Sequence, residues 1–137
     1  MTEDIFVPIN SDLDIVTARQ NGRTMAAELG FQGTDLTLIA TAISELARNI
    51  VRYARHGEIH LQVLGNNNGK RGLLVEARDE GPGIPNIAQA MQDGYSTSGG
   101  LGLGLPGTRR LMDEFEITSD AENGTTIRTC KWVRSGL

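Results

Sequence analysis

Cysteine is almost missing from this chain: Cys130 stands alone among 137 residues, so no intramolecular disulfide can form. A nucleophilic thiol wants a basic, cleft-like setting. The surrounding TIRTCKW instead alternates like a strand, and Cys130 reads as structural. Positive charge is also short. Thirteen Lys and Arg against 17 Asp and Glu leave a net charge of -4, which gives no support for gripping a phosphate backbone and excludes nucleic acid as an expected partner. Long apolar runs are lacking as well. Nothing approaches the ~20 apolar residues of a membrane span, and the acidic start MTEDIFVPI has no run suited to a secretion signal. A cytoplasmic protein without a membrane partner is expected, which makes Asn123-Gly124-Thr125 an accidental glycosylation sequon.

What is present fits one domain, residues 1–137, able to bury a core without disulfide or metal. IFVPI (5–9) reads as an opening strand. A helix from Asp12 to Leu29 follows, stopped at Gly30, and a second runs from Thr34 to Arg55 with Thr34 or Asp35 as its cap. EIHLQVLG (58–65) and GLLVEARD (72–79) read as strands joined by NNNGKR. One helical turn is expected near 87–91, a helix from Leu105 to Glu114, then FEITSD and GTTIRTCKWV as a closing antiparallel hairpin. Helices and strands mix without strict alternation, which favours an α+β two-layer sandwich, one mixed sheet with helices on one face.

Three stretches carry chemistry. In TAISELARNIVRYA, Ile39, Ile43, Leu46, Ile50 and Tyr53 recur at alternating spacings of four and three, the mark of a buried stripe. Glu45 and Asn49 fall together on one flank of it, while Arg48, Arg52 and Arg55 point towards the other side. Such a pair can be plain half-exposed polar residues. Asn, however, is a weak helix former, and a carboxylate beside an amide oxygen offers a general base and a hard ligand for magnesium. Next, LLVEA runs into RDEGPGI, so Asp79 stands at a strand end before Gly81 and Gly83. That is good turn chemistry without any ligand. It is also a place where an ionised carboxylate can meet the amino group of adenine while glycines let the ring approach the backbone.

The third stretch is STSGGLGLGLPGTRR. It places glycines at 100, 102, 104 and 107 immediately before a helix. Free amides at that helix start make a phosphate site. The P-loop pattern is excluded because the run has no Lys, and Gly102-x-Gly104-x-x-Gly107 is a weak dinucleotide match interrupted by Pro106. The protein-kinase set of strand Lys and catalytic-loop Asp is absent too. His56, Glu58 and His60 imitate a metal triad, but no other element offers a clear partner, so no metal is assigned to them.

Taken in order, Glu45-x-x-x-Asn49, Asp79-x-Gly81-x-Gly83, Gly100-x-Gly102-x-Gly104 and Gly124-Thr125 resemble the GHKL family of ATP-binding domains, over nearly the whole chain. ISELARNIVRYA, DEGPGI and DGYSTSGGLGLGLPGTRRLMDEF are similar to its anti-sigma-factor type of serine/threonine kinase. The resemblance implies ATP held between the helices and a lid at about 86–99. It implies Mg2+ on Asn49, Glu45 accepting the proton of the attacking hydroxyl, and Asp79 with Thr125 binding adenine. Gly81 and Gly83 would admit the base, and Gly100, Gly102 and Gly104 would wrap the phosphates. It also implies partners: STAS-domain scaffold and antagonist proteins as substrates, and a PP2C-type phosphatase as a target of activation in a bacterial stress response. Sensor histidine kinases share such a site but need a phosphoacceptor His on a dimerisation helix, which no segment ahead of Glu45 supplies. A second class stays open: a regulatory module in which nucleotide only sets the shape of a partner-binding surface.

Overall fold

The first helix starts on a reciprocal contact. The Asp14 carboxylate accepts hydrogen bonds from the amides of Asn10 and Ser11, at 2.8 and 3.2 Å, one half of a capping box. The computed structural model describes residues 4–65, 69–81, 104–120 and 124–134. Strand β1 (Asp4–Ile9) leads into helix α1 (Asp12–Leu29), which Gly30 closes in the left-handed conformation, as its sequence predicts. Helix α2 (Thr34–Tyr53) has Gly33 at its N-cap, not Thr34 or Asp35. Gly33 adopts φ 54, the tight turn between the helices claims the cap position, and both predicted caps fall inside the first turn. At its far end α2 stops at Tyr53, two residues short of the predicted Arg55, because Arg55 itself is left-handed at φ 72.

Strands β2 (Gly57–Gly65) and β3 (Arg71–Asp79) then pair, helix α3 (Gly104–Leu111) crosses over, and β4 (Glu114–Asp120) and β5 (Gly124–Trp132) close the chain. The helical turn predicted at 87–91 lies outside the described residues. Helix α3 ends at Leu111, earlier than the predicted Glu114: the Asp113 amide donates to the Cys130 carbonyl and draws the chain into the sheet.

The sheet order is β1-β2-β3-β5-β4, and every pairing is antiparallel. The α+β sandwich with helices on one face is as predicted; the mixed pairing is not. Two helices lie between β1 and β2, so the chain reverses an odd number of times and the strands meet head to tail. The β3-α3-β4 crossover makes parallel strands, but β5 inserts between them and pairs with both.

Between sheet and helices lies the core. Ile39, Ile43, Leu46 and Ile50 of α2 are fully buried against Ile59, Leu61, Leu73 and Val75. Tyr53, the fifth member of the predicted stripe, is instead 52% exposed, since α2 ends there. Among the described residues no helix covers the opposite face of the sheet. Across it, the register aligns Phe6, His60, Glu76, Arg128 and Glu116 in one row. Glu76 is buried there and neutralised by Arg78 at 3.1 Å and Arg128 at 3.7 Å. His60 stacks on Phe6, and His56 lies 2.9 Å from the Asn10 side chain. The imitation metal triad is therefore split, and no metal-ligating cluster occurs among the described residues. Nor is any helix among them long and apolar enough to cross a membrane.

Cys130 is buried on this face, and its thiol is pushed up from the ordinary 9.0 to about 12, first by burial and then by the Glu114 and Asp113 carboxylates. Its thiolate population at pH 8 is roughly a thousandfold below that of an unperturbed thiol. Reagents such as iodoacetamide are therefore expected to label native protein at pH 8 only at the rate of unfolding, and urea-unfolded protein promptly. Rapid stoichiometric labelling of the folded chain, followed by mass spectrometry, would contradict this.

Candidate functional site

Asp79 is the last residue of β3, where the pairing ends and the carboxylate can turn back on its own chain. Its Oδ1 accepts from the amide of Gly81 at 2.9 Å and from that of Thr125 at 3.3 Å. The second bond follows from register, since Asp79 and Thr125 are direct partners across β3 and β5. Among the described residues both bonds fall on one oxygen, so the carboxylate is oriented and Oδ2 is the oxygen left to accept from a ligand. Thr125 is buried, its hydroxyl 2.8 Å from that of Ser119.

Two glycines make this corner possible. A Cβ on Gly81 would lie 2.6 Å from that of Ala54, so the turn after β3 presses directly on the end of α2. Gly124 has φ 80, and a Cβ there would strike the carbonyl of Asp79 and sit 2.7 Å from Glu80 Cα. The Asp79 turn, α2 and the start of β5 are thus locked by backbone contacts that no larger residue permits.

Helix α2 brings the second group. Glu45 and Asn49 lie one turn apart on it, both partly buried, and the Glu45 side chain is only 11% exposed. Contrary to the helical-wheel expectation, Arg48 does not point away. Its Nη1 meets Glu45 Oε1 at 2.5 Å, because a long side chain three residues on can fold back along the helix. That spacing was the signal for it.

Helix α3 packs against α2 and begins at Gly104, with φ 56. The Thr108 hydroxyl donates to the Gly104 carbonyl at 3.0 Å, and Leu105 to Thr108 are buried, so this helix start is anchored. Its other end is capped by Lys131, a buried residue whose ammonium donates to the Leu111 carbonyl at 2.9 Å, a favourable place for a cation. Nothing in the sequence pattern singled out Lys131. Of the predicted site residues, the fold gathers Asp79, Gly81 and Thr125 at one corner under the end of α2, the helix that also carries Glu45 and Asn49. Gly104 opens the helix packed beside it. Gly83, Gly100, Gly102 and the lid at 86–99 lie outside the described residues.

Residues 9–131 match the family model described as Histidine kinase-like ATPase domain. The chain belongs to this family. Among its relatives, the serine/threonine-protein kinase RsbT of Bacillus subtilis is 54% identical over 134 residues, 98% of this chain and 100% of the relative. An anti-sigma F factor of Bacillus licheniformis is 31% identical over 121 residues, 83% of this chain and 81% of that one. In solved structures, the RsbU and RsbW domains of Rv1364c from Mycobacterium tuberculosis superpose with a TM-score of 0.64 at 21% identity, covering 99% of this chain and 34% of that longer one. That last likeness speaks for the fold alone: the ATPase-family sandwich.

Gly124 is the most exacting backbone position of this corner. Substitution Gly124→Ala is expected to destabilise the protein by about 1–3 kcal/mol, from backbone strain and the clash with the Asp79 carbonyl. A urea midpoint within experimental scatter of the parent protein would contradict the geometry.

Proposed function

We propose that this chain is a Mg-ATP-dependent protein serine/threonine kinase of a bacterial stress-response pathway, acting in the cytoplasm on STAS-domain scaffold and antagonist proteins. The observation that carries the reading is the Asp79 corner, a carboxylate pinned through Oδ1 by two backbone amides and built against the helix that bears Glu45 and Asn49. The 54% identity to RsbT, a serine/threonine-protein kinase, over 98% of this chain and 100% of that one supports it.

Each residue then has a role set by its chemistry. Asp79 accepts from the adenine amino group through Oδ2, with Thr125 beside it. A guanine, presenting a carbonyl at that position, would oppose acceptor to acceptor. Gly81 and Gly83 keep side chains off the base. Gly100, Gly102 and Gly104 offer main-chain amides to the phosphates ahead of α3, whose anchored start favours negative charge. The Asn49 amide oxygen suits a hard cation, and it would hold Mg2+, which neutralises phosphate charge when bound. Glu45 takes the proton of the incoming serine or threonine hydroxyl as that oxygen bonds to the γ-phosphorus of ATP; the bond from this phosphorus to the β–γ bridging oxygen breaks and ADP leaves.

A second reading has its own observation, the anti-sigma F factor relatives. In it the nucleotide-bound form works by sequestering or activating a partner, a PP2C-type phosphatase included, and transfer is secondary. The two readings separate on one variant. Glu45→Ala that still regulates its partner normally favours the binding role.

The decisive experiment mixes the protein with γ-labelled ATP, Mg2+ and a STAS-domain protein. Label on a partner serine or threonine is expected, and its absence with folded, nucleotide-binding protein would reject the kinase. Calorimetry should find ATP affinity lowered at least tenfold in Asp79→Asn. Glu45→Ala should keep affinity within about twofold while transfer falls by about a hundredfold or more. Unchanged affinity in the Asp79 variant would remove the adenine assignment.

A further inference from the structure

We propose that Arg48 is a positioning residue for the transfer step: it holds Glu45 by Oε1 so that Oε2 is the oxygen turned towards the incoming hydroxyl. The inference rests on the proton-accepting role given to Glu45 above. A carboxylate with only 11% of its side chain exposed has lost most of its water and needs a compensating partner. The partner present is Arg48, through Nη1 and Oε1, on the same helix and one turn further on.

This contact does more than neutralise. The terminal torsion of a glutamate is broad and nearly two-fold, so an untethered carboxylate samples many orientations with its two oxygens interchangeable. Pinning one oxygen removes that equivalence and leaves the other with a fixed direction, the requirement for a proton acceptor that must meet a hydroxyl at hydrogen-bonding distance. Around the helix Arg48 lies on one side of Glu45 and Asn49 on the other, so the tether approaches Glu45 from the side away from the residue proposed to hold the cation. Arg48 is itself 26% exposed, so its guanidinium reaches Glu45 from the solvent side.

An ordinary helix-surface ion pair would affect stability and nothing else. The two cases divide on a kinetic cycle of the full-length protein with a STAS-domain substrate: wild type, R48M, R48K, E45A and the double variant E45A/R48M. The R48M protein is expected to lose at least tenfold in kcat while KM for ATP and directly measured ATP affinity stay within twofold. R48K, which keeps the charge and one donor, should recover part of the rate. In the E45A background, R48M should cost nothing further. A kcat within twofold of wild type, a loss expressed in KM for ATP, or the same loss with and without Glu45 would each overturn the proposal. Should R48M not fold, R48Q is read by the same criteria. If E45A itself transfers phosphate at the wild-type rate, the proton-accepting role falls and the tether with it. Inactive E45A beside fully active R48M removes the tether alone.

Discussion

The structure depends on antiparallel register at one end of the sheet. Asp79, Gly57 and Thr125 sit side by side across β2, β3 and β5, and the pairing ends there. Because backbone amides have nowhere else to donate once the ladder stops, those of Gly81 and Thr125 turn onto the Asp79 carboxylate. A one-residue slip of β5 would replace Thr125 by a neighbour facing the other side of the sheet and dissolve the corner. The site is thus a consequence of the ladder, and its precision is that of a central strand buried from Gly72 to Ala77.

The helices share the labour unevenly. Helix α2 is both the main core element and the carrier of Glu45 and Asn49, so its apolar stripe decides where those polar groups stand. Its end is pressed against the Asp79 turn through Ala54 and Gly81, a contact without side-chain slack. Helix α3 is short and held at both ends, by Thr108 on Gly104 and by Lys131 on Leu111. A buried ammonium at a helix end is costly unless satisfied. Here it meets the negative pole of the helix whose positive pole lies on the glycine side.

The face of the sheet away from α1 and α2 follows another logic. In its central row His60 and Glu76 are polar yet largely withdrawn from water, while Arg128 stands more than half exposed, and Leu74 and Cys130 are buried beside them. Flanking arginines supply the charge balance. Burial on this face, with the Glu114 and Asp113 carboxylates beside it, keeps the lone cysteine protonated and chemically quiet.

Periodicity by itself determined the helices and strands, the buried faces of α2, and the order in which Glu45, Asn49, Asp79 and Thr125 occur, because these are local consequences of side-chain spacing. It also marked the glycines, whose cost in ordinary structure demands a reason. Only the tertiary structure decided the rest. That all pairings are antiparallel depends on where β5 inserts, and the early ends of α2 and α3 depend on Arg55 turning left-handed and on Cys130 drawing in Asp113. That Arg48 folds back to Glu45, and that Lys131 caps α3, depend on rotamers and on distant segments meeting. Such contacts join residues far apart in sequence or choose among rotamers of equal local merit: spacing puts Arg48 within reach of Glu45, but only the packed structure selects the rotamer that makes the contact.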